Sequence, residues 1–216
     1  MLIAMPRLLL TVSCLLCVGA GAQQPQSSPP VSVGIVLDTS GSMGAKLHLS
    51  RQMVSEFFKV ANPRDEFLLV QFSDRPIVIT QFNDGPEKIQ DHLAFIESKG
   101  RSAVWDAVYM ALQQMKKARN PRKALLLISD GGDNHSRYTD GEIRNLVRET
   151  GVPIYAIGIY ESFARRARTE QELSGPGLLT GVAEQSGGRY FAIEHLADVP
   201  DVVAKLGVDL RAPAPR

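Results

Sequence analysis

The sequence predicts an α/β fold: a doubly wound, mostly parallel sheet with one antiparallel edge strand. Three observations lead there. Short, near-continuous apolar runs alternate with longer stretches of helical periodicity along most of the chain. Two of those runs end on an aspartate that is followed by a polar, glycine-rich turn. One run lies beside a proline, which cannot donate to a sheet ladder and so marks an edge.

The elements follow in order. Residues 31–37 (VSVGIVL) are apolar almost throughout and end at Asp38, the pattern of a strand buried on both faces. Residues 47–61 carry Met53, Val54, Phe57, Phe58 and Ala61 at helical spacing, and Pro63 stops them. Residues 66–72 form the second strand. Pro76 interrupts, and residues 77–82 form the third, the expected edge strand. Pro86 opens a helix to about Ser98, with Ile89, Leu93 and Ile96 inward. Ser102 begins another, striped by Val104, Ala107, Val108, Ala111, Leu112 and Met115. Residues 123–128 (KALLLI) are a buried strand that runs into Ser129 and Asp130. Asp140 is placed to cap a helix bearing Ile143, Leu146 and Val147, and Gly151 to end it. Residues 153–160 are the fifth strand. A loop over 161–175 precedes a helix at 177–185. Gly187 and Gly188 turn into a short strand at 189–193. Asp198 is placed to cap the last helix, with Val199, Val202, Val203 and Leu206 inward.

Composition narrows the functional classes. The 216 residues are 44% hydrophobic and 22% charged, and 24 Lys+Arg stand against 23 Asp+Glu. That balance offers no electrostatic footprint for nucleic acid. No stretch reaches the roughly 18 apolar residues that span a bilayer. A polytopic membrane protein, a coiled coil and a disulfide-built mini-protein are excluded.

Residues 1–22 read as an export signal. Arg7 gives the positive region, residues 8–18 the apolar one, and Ala20-Gly21-Ala22 the small-residue cleavage site before Gln23. A lipoprotein signal is the nearest rival. It is disfavoured because Thr11 stands three before Cys14 and Leu16 directly precedes Cys17. Both cysteines lie in this segment, so the exported chain would lack disulfides, thiol catalysis and thiolate metal sites. Residues 23–30, rich in Gln, Ser and Pro, read as a flexible linker, 31–210 as one domain, and 211–216 as a disordered tail. The expected location is periplasmic or extracellular.

In doubly wound sheets ligands bind at the carboxyl ends of strands, where strand order reverses. Asp38 and Asp130 both stand at such ends. If their strands are central neighbours, the two acids face each other across the crevice. Asp38-x-Ser40-x-Ser42 offers a carboxylate and two hydroxyls from one tight loop, and Asp130 adds a second carboxylate. Hard divalent cations take oxygen ligands of this kind. Without a cation, the two acids would repel and one pKa would rise.

Asp38-Thr39-Ser40-Gly41-Ser42 resembles the metal-ion-dependent adhesion site of von Willebrand factor type A domains. Residues 126–131 (LLISDG) resemble the strand carrying that family's second aspartate, and residues 100–108 (GRSAVWDAV) the segment between them. The resemblance runs in order from about residue 31 to 210. It implies a Mg²⁺ or Mn²⁺ held by Ser40 and Ser42 directly, with Asp38 and Asp130 acting mostly through water. The family's threonine falls on Ser102, which keeps the hydroxyl but loses the rotamer-stiffening methyl. The implied metal set is therefore Asp38, Ser40, Ser42, Ser102 and Asp130. The implied function is a non-enzymatic interaction module that captures an Asp or Glu carboxylate of a partner protein or peptide. Secreted bacterial members of the subgroup it most resembles usually continue past the last helix, whereas this sequence ends in Ala212-Pro213-Ala214-Pro215-Arg216.

Other readings of the same residues are turn and cap chemistry at Asp38, Ser40, Ser42 and Asp130, and a plain helix cap at Ser102. Asp106 reads as loop support, Asp133 and Asn134 as a turn, and Trp105 as packing. His48, His92, His135 and His195 have no metal-binding spacing. Arg165, Arg166 and Arg168 read as part of a solvated surface loop; because that loop leaves a strand's carboxyl end, the other reading is that they steer an acidic partner. Two rival functions remain: a scaffold whose metal site is vestigial, and a metal-dependent hydrolase. The second lacks support. Ser40 stands where an aspartate phosphatase needs its proton-shuttling acid, and no Gly-x-Ser-x-Gly elbow is present.

Overall fold

Six strands form one sheet in the order β3-β2-β1-β4-β5-β6. They are β1 (Val31–Asp38), β2 (Glu66–Phe72), β3 (Pro76–Thr80), β4 (Arg122–Ser129), β5 (Ile154–Ile159) and β6 (Tyr190–Ile193). The computed structural model describes residues 29–160 and 170–212. The export segment, most of the linker, Arg165, Arg166, Arg168 and the last four residues lie outside them.

All neighbouring strands are parallel except β2 and β3. The antiparallel edge is where the proline placed it, although β3 starts on Pro76 itself and ends at Thr80. Proline is tolerated as the first residue of an edge strand, because no ladder bond is lost there. β1 lies at the centre, paired with β2 on one side and β4 on the other. Every residue of β1 is buried, as a strand covered on both faces requires.

Helices cover both faces. Helices α1 (Leu47–Val60), α2 (Pro86–Ala94) and α6 (Val199–Arg211) pack with Val33, Ile35 and Leu37 of β1. Helices α3 (Val104–Met115), α4 (Asp140–Thr150) and α5 (Glu170–Gln185) pack with Val36, Leu68, Leu125 and Leu127. The alternation along each strand thus divides its apolar side chains between two cores. Among the described residues, no helix is long and apolar enough to cross a membrane.

Several boundaries differ from the sequence expectation. Helix α2 ends at Ala94, yet Ile96 stays buried in the non-helical segment that follows. The Arg51 guanidinium donates to the Ile96 carbonyl at 2.6 Å, and the Lys99 N–H donates to Thr39 O at 2.8 Å. Those tertiary bonds replace another helical turn. Helix α5 starts at Glu170 and runs through Gly175-Pro176-Gly177, which sequence alone placed in and beside a loop. Its packing overrides the low propensity of those residues. The cap of α4 is Thr139, not Asp140. Its hydroxyl accepts the Glu142 N–H while the Glu142 carboxylate accepts the Thr139 N–H, a capping box. Gly151 ends that helix as expected, in the left-handed region at φ 62°. Asp198 precedes α6, but its carboxylate accepts the N–H groups of Glu194 and His195 instead of capping it.

Candidate metal centre

The strand order reverses between β1 and β4, so their carboxyl ends flank the crevice. The register pairs Leu37 with Ile128, which brings Asp38 and the segment Ser129-Asp130 to the same end. Four pieces of chain meet there: the loop after β1, the turn after β2, the segment before α3 and the loop after β4.

Backbone bonds lace these pieces together. Thr39 N–H donates to Phe72 O at 2.8 Å, Gly41 N–H to Gly100 O at 3.0 Å, and Ala103 N–H to Ser73 O at 3.0 Å. Gly100 must be glycine: its φ is +79°, and a Cβ would lie 2.5 Å from the Asp74 carboxylate. On the other side, Gly131 (φ +85°) lets α5 come so close that a Cβ would lie 2.4 Å from Gly175 O.

Within this frame Asp38 is completely buried. One carboxylate oxygen accepts the Ser40 N–H at 2.8 Å. The other accepts the Ser129 hydroxyl at 2.5 Å and the Ser102 hydroxyl at 3.3 Å. The Ser40 and Ser42 hydroxyls lie 3.1 Å apart. Asp38, Ser40, Ser42 and Ser102 are thus brought into one hydrogen-bonded cluster by residues far apart in sequence. Burial raises the Asp38 carboxyl to about 6, and the nearby Asp130 charge adds to the rise, against the lowering effect of bonds from Ser129 and Ser40.

Asp130 is placed differently. It is 1% exposed, and its Oδ2 accepts the Lys46 ammonium at 2.6 Å, while Oδ1 accepts the Gly132 N–H at 3.3 Å. Lys46 ends a short 3-10 helix, Gly41–Lys46, that leads from the serine loop into α1. Among the described residues, the acid pair therefore has one ammonium, which is held on Asp130, and none pairs with Asp38.

Ser102 does not cap α3. The N-terminal donors of that helix are taken from outside: Asp133 accepts Val104 N–H at 2.9 Å, and the Ser136 hydroxyl accepts those of Trp105 and Asp106. Asn134 accepts the Ser102 N–H at 3.0 Å, and the N–H groups of Asn134 and His135 both donate to Ser102 O. The loop after β4 thus clamps the Ser102 backbone, and its hydroxyl is left to face Asp38. Asp106 accepts the N–H groups of Arg137 and Tyr138, so it fixes the same loop. Trp105 is buried in the core of that face. Sequence reasoning missed Ser129, Lys46 and the clamping role of Asn134. Ser129 directly precedes a candidate acid, which was the one local signal available.

The donor set suits a hard divalent ion: three serine hydroxyls and the Asp130 carboxylate stand near Asp38, a buried acid whose proton affinity is raised by burial and by that neighbouring charge. Among the described residues, no cluster of three or more His, Cys, Asp or Glu side chains that could hold a metal ion is present. Oxygen from serine would have to make up the shell.

Residues 33–132 match the von Willebrand factor type A domain family. An uncharacterized protein of Borreliella burgdorferi is 25% identical over 187 residues, covering 77% of this chain and 54% of its own length. Inter-alpha-trypsin inhibitor heavy chain H4 of Homo sapiens is 27% identical over 141 residues, covering 59% of this chain and 15% of its own. The chain therefore spans about half of the first relative and a small part of the second. A solved von Willebrand factor type A structure from Catenulispora acidiphila superposes with a TM-score of 0.66 at 16% identity, over 85% of this chain and 43% of that one. The von Willebrand factor type A match spans β1 through β4 at residues 33–132, and the fold of most of the chain is that of a solved von Willebrand factor type A structure.

Proposed function

We propose that the protein is an exported, non-enzymatic interaction module that holds Mg²⁺ or Mn²⁺ at Asp38, Ser40, Ser42, Ser102 and Asp130 to capture an acidic side chain of a partner protein. The observation that carries this reading is the fully buried Asp38, set beside three hydroxyls and a second acid at the topological switch point. Domains of this family commonly serve protein interaction, which gives the reading its class. A bound divalent ion would supply an electrophilic position for a carboxylate oxygen. Ser40, Ser42 and Ser102 would present neutral oxygens to it. Few anionic ligands would then quench its charge. Asp38 would orient Ser40 and Ser102 through the bonds it already makes. Asn134 and Asp106 would keep the Ser102 loop in place.

Export rests on residues 1–22 of the sequence. The absence of an elbow nucleophile and of a proton-shuttling acid next to Asp38 speaks against hydrolysis. One observation favours the vestigial-site alternative: Lys46 already places a cation on Asp130. Calorimetric titration of the chelator-treated protein with Mg²⁺ and Mn²⁺ separates the two. Saturable binding that disappears in Asp38→Ala supports the adhesion site. A folded wild-type chain that takes up neither ion points to the scaffold.

A further inference from the structure

Lys46 belongs to no part of the site as read from the motif, yet it makes the closest charged contact in it. Its ammonium lies 2.6 Å from Asp130 Oδ2, with the two side chains 10% and 2% exposed. Lysine is seldom buried this far unless paired. We infer that Lys46 is a tethered counter-cation: it holds Asp130 while no divalent ion is present, and a divalent ion entering among Ser40, Ser42 and Ser102 displaces it. The inference rests on the metal-site reading above.

Charge and geometry carry it. Among the described residues, the two ionised carboxylates and one ammonium sum to a single negative charge. Adding a divalent ion with Lys46 in place would leave one net positive charge in a buried, water-poor setting. Moving the ammonium out leaves the pocket neutral. Cations a few ångströms apart repel far more strongly there than in water. Lys46 holds Oδ2, one of the two Asp130 oxygens that an ion or its water would use, while Oδ1 accepts the Gly132 N–H at 3.3 Å. Departure is feasible. Lysine carries its charge on a flexible four-carbon stem, and Lys46 follows two exposed residues, Gly44 and Ala45, at the end of its 3-10 turn. The same segment contains Ser42. Ion binding and lysine release would therefore act on one short stretch of chain, and the cost of expelling Lys46 would lower the site's affinity for the ion.

The test uses the full chain with Lys46→Met, Lys46→Arg, Asp130→Asn and the double variant Lys46→Met/Asp130→Asn. Mn²⁺ affinity is measured by calorimetry, and thermal unfolding is followed with EDTA and with saturating Mn²⁺. We expect Lys46→Met to bind Mn²⁺ at least about tenfold more tightly, because a competing charge is gone. The same variant unfolds at a lower temperature in EDTA, and saturating Mn²⁺ closes the gap. Lys46→Arg stays near wild type in affinity. Asp130→Asn relieves the EDTA penalty of Lys46→Met, which shows that the penalty comes from the unpaired acid. A folded Lys46→Met chain with unchanged or weaker Mn²⁺ affinity overturns displacement. If neither wild type nor Lys46→Met binds Mn²⁺ while the EDTA penalty and its relief persist, the metal reading itself has failed. Lys46 is then the permanent cation of a metal-free site. If Lys46→Met shows no EDTA penalty, the pairing is not what holds Asp130, and the inference falls with it.

Discussion

Two buried acids on the same sheet are treated in opposite ways. Glu66 begins β2 at the amino end of the parallel strands, and Asp38 ends β1 at their carboxyl end. Glu66 is 7% exposed and accepts the Ser32 hydroxyl at 2.5 Å, the Arg119 N–H at 2.6 Å and the Arg119 guanidinium at 2.8 Å. Burial pushes its carboxyl up, but those bonds outweigh it and hold it below the ordinary value. Asp38 is fully buried, receives bonds from two hydroxyls and one N–H, and faces Asp130. Its carboxyl is pushed up to about 6. Among the described residues, Glu66 at one end of the sheet is paired with an arginine, and Asp38 at the other end has no cationic partner. Glu66 is satisfied by the bonds it accepts, whereas Asp38 is raised by burial and a like charge, a combination that recurs at functional sites.

The comparison can be broken most directly by substituting each acid. Asp38→Ala should lower Mg²⁺ or Mn²⁺ affinity by about a hundredfold or more. Glu66→Gln should leave that affinity at the wild-type value while costing about 1–3 kcal/mol of stability, read by urea unfolding. Equal loss of metal binding in both would show that the two ends are not distinct.

The pH dependence should differ in sign. In EDTA, the folded chain holds the Asp38 proton more tightly than the unfolded chain does. That contribution is full at low pH and disappears as pH rises from 3.8 to about 6. Relative to Asp38→Asn, the wild type should lose on the order of 3 kcal/mol across this window. Saturating metal should reverse the trend, since ion binding favours the ionised acid. Glu66 runs the other way. Its stability is present above the ordinary 4.5 and drains as pH falls below it. Urea midpoints against pH for the two neutral variants read both signs at once.

Smaller effects sharpen the picture of the carboxyl end. Ser102→Ala should weaken metal binding by about thirtyfold, and Ser102→Thr should match or tighten it, because the methyl restricts the hydroxyl's rotamer. Asn134→Ala should weaken it by about tenfold by loosening the Ser102 backbone. A calorimetric series of the three decides whether the serine hydroxyl and its clamp act in the order that the geometry implies.

Most of the fold was legible from apolar runs and punctuation. The run at 31–37 and the run at 123–128 each ended on the acid that the structure brings to the switch point. The paired acid and serine positions of the loop after β1 were legible too, because five consecutive residues carry them. Other contributors to the site were hidden by distance along the chain. Lys46 meets Asp130 across 84 positions, Ser129 meets Asp38 across 91, and Asn134 meets Ser102 across 32. Helix α5 was read short because proline and glycine at 175–177 have poor helix propensity, which close packing against Asp130 and Gly131 overrode.

The sequence alone determined the order of elements, the antiparallel edge and which acids stand at strand ends, since periodicity and turn chemistry are local and each needs only a few neighbouring residues. Tertiary structure alone decided that Ser102 is freed from capping by Asp133 and Ser136, that Asp38 is buried beside Ser129 and Ser102, and that Lys46 pairs with Asp130. Those outcomes depend on which charges share a buried volume, and buried charge interacts strongly only over a few ångströms, a proximity that folding creates and residue order does not reveal.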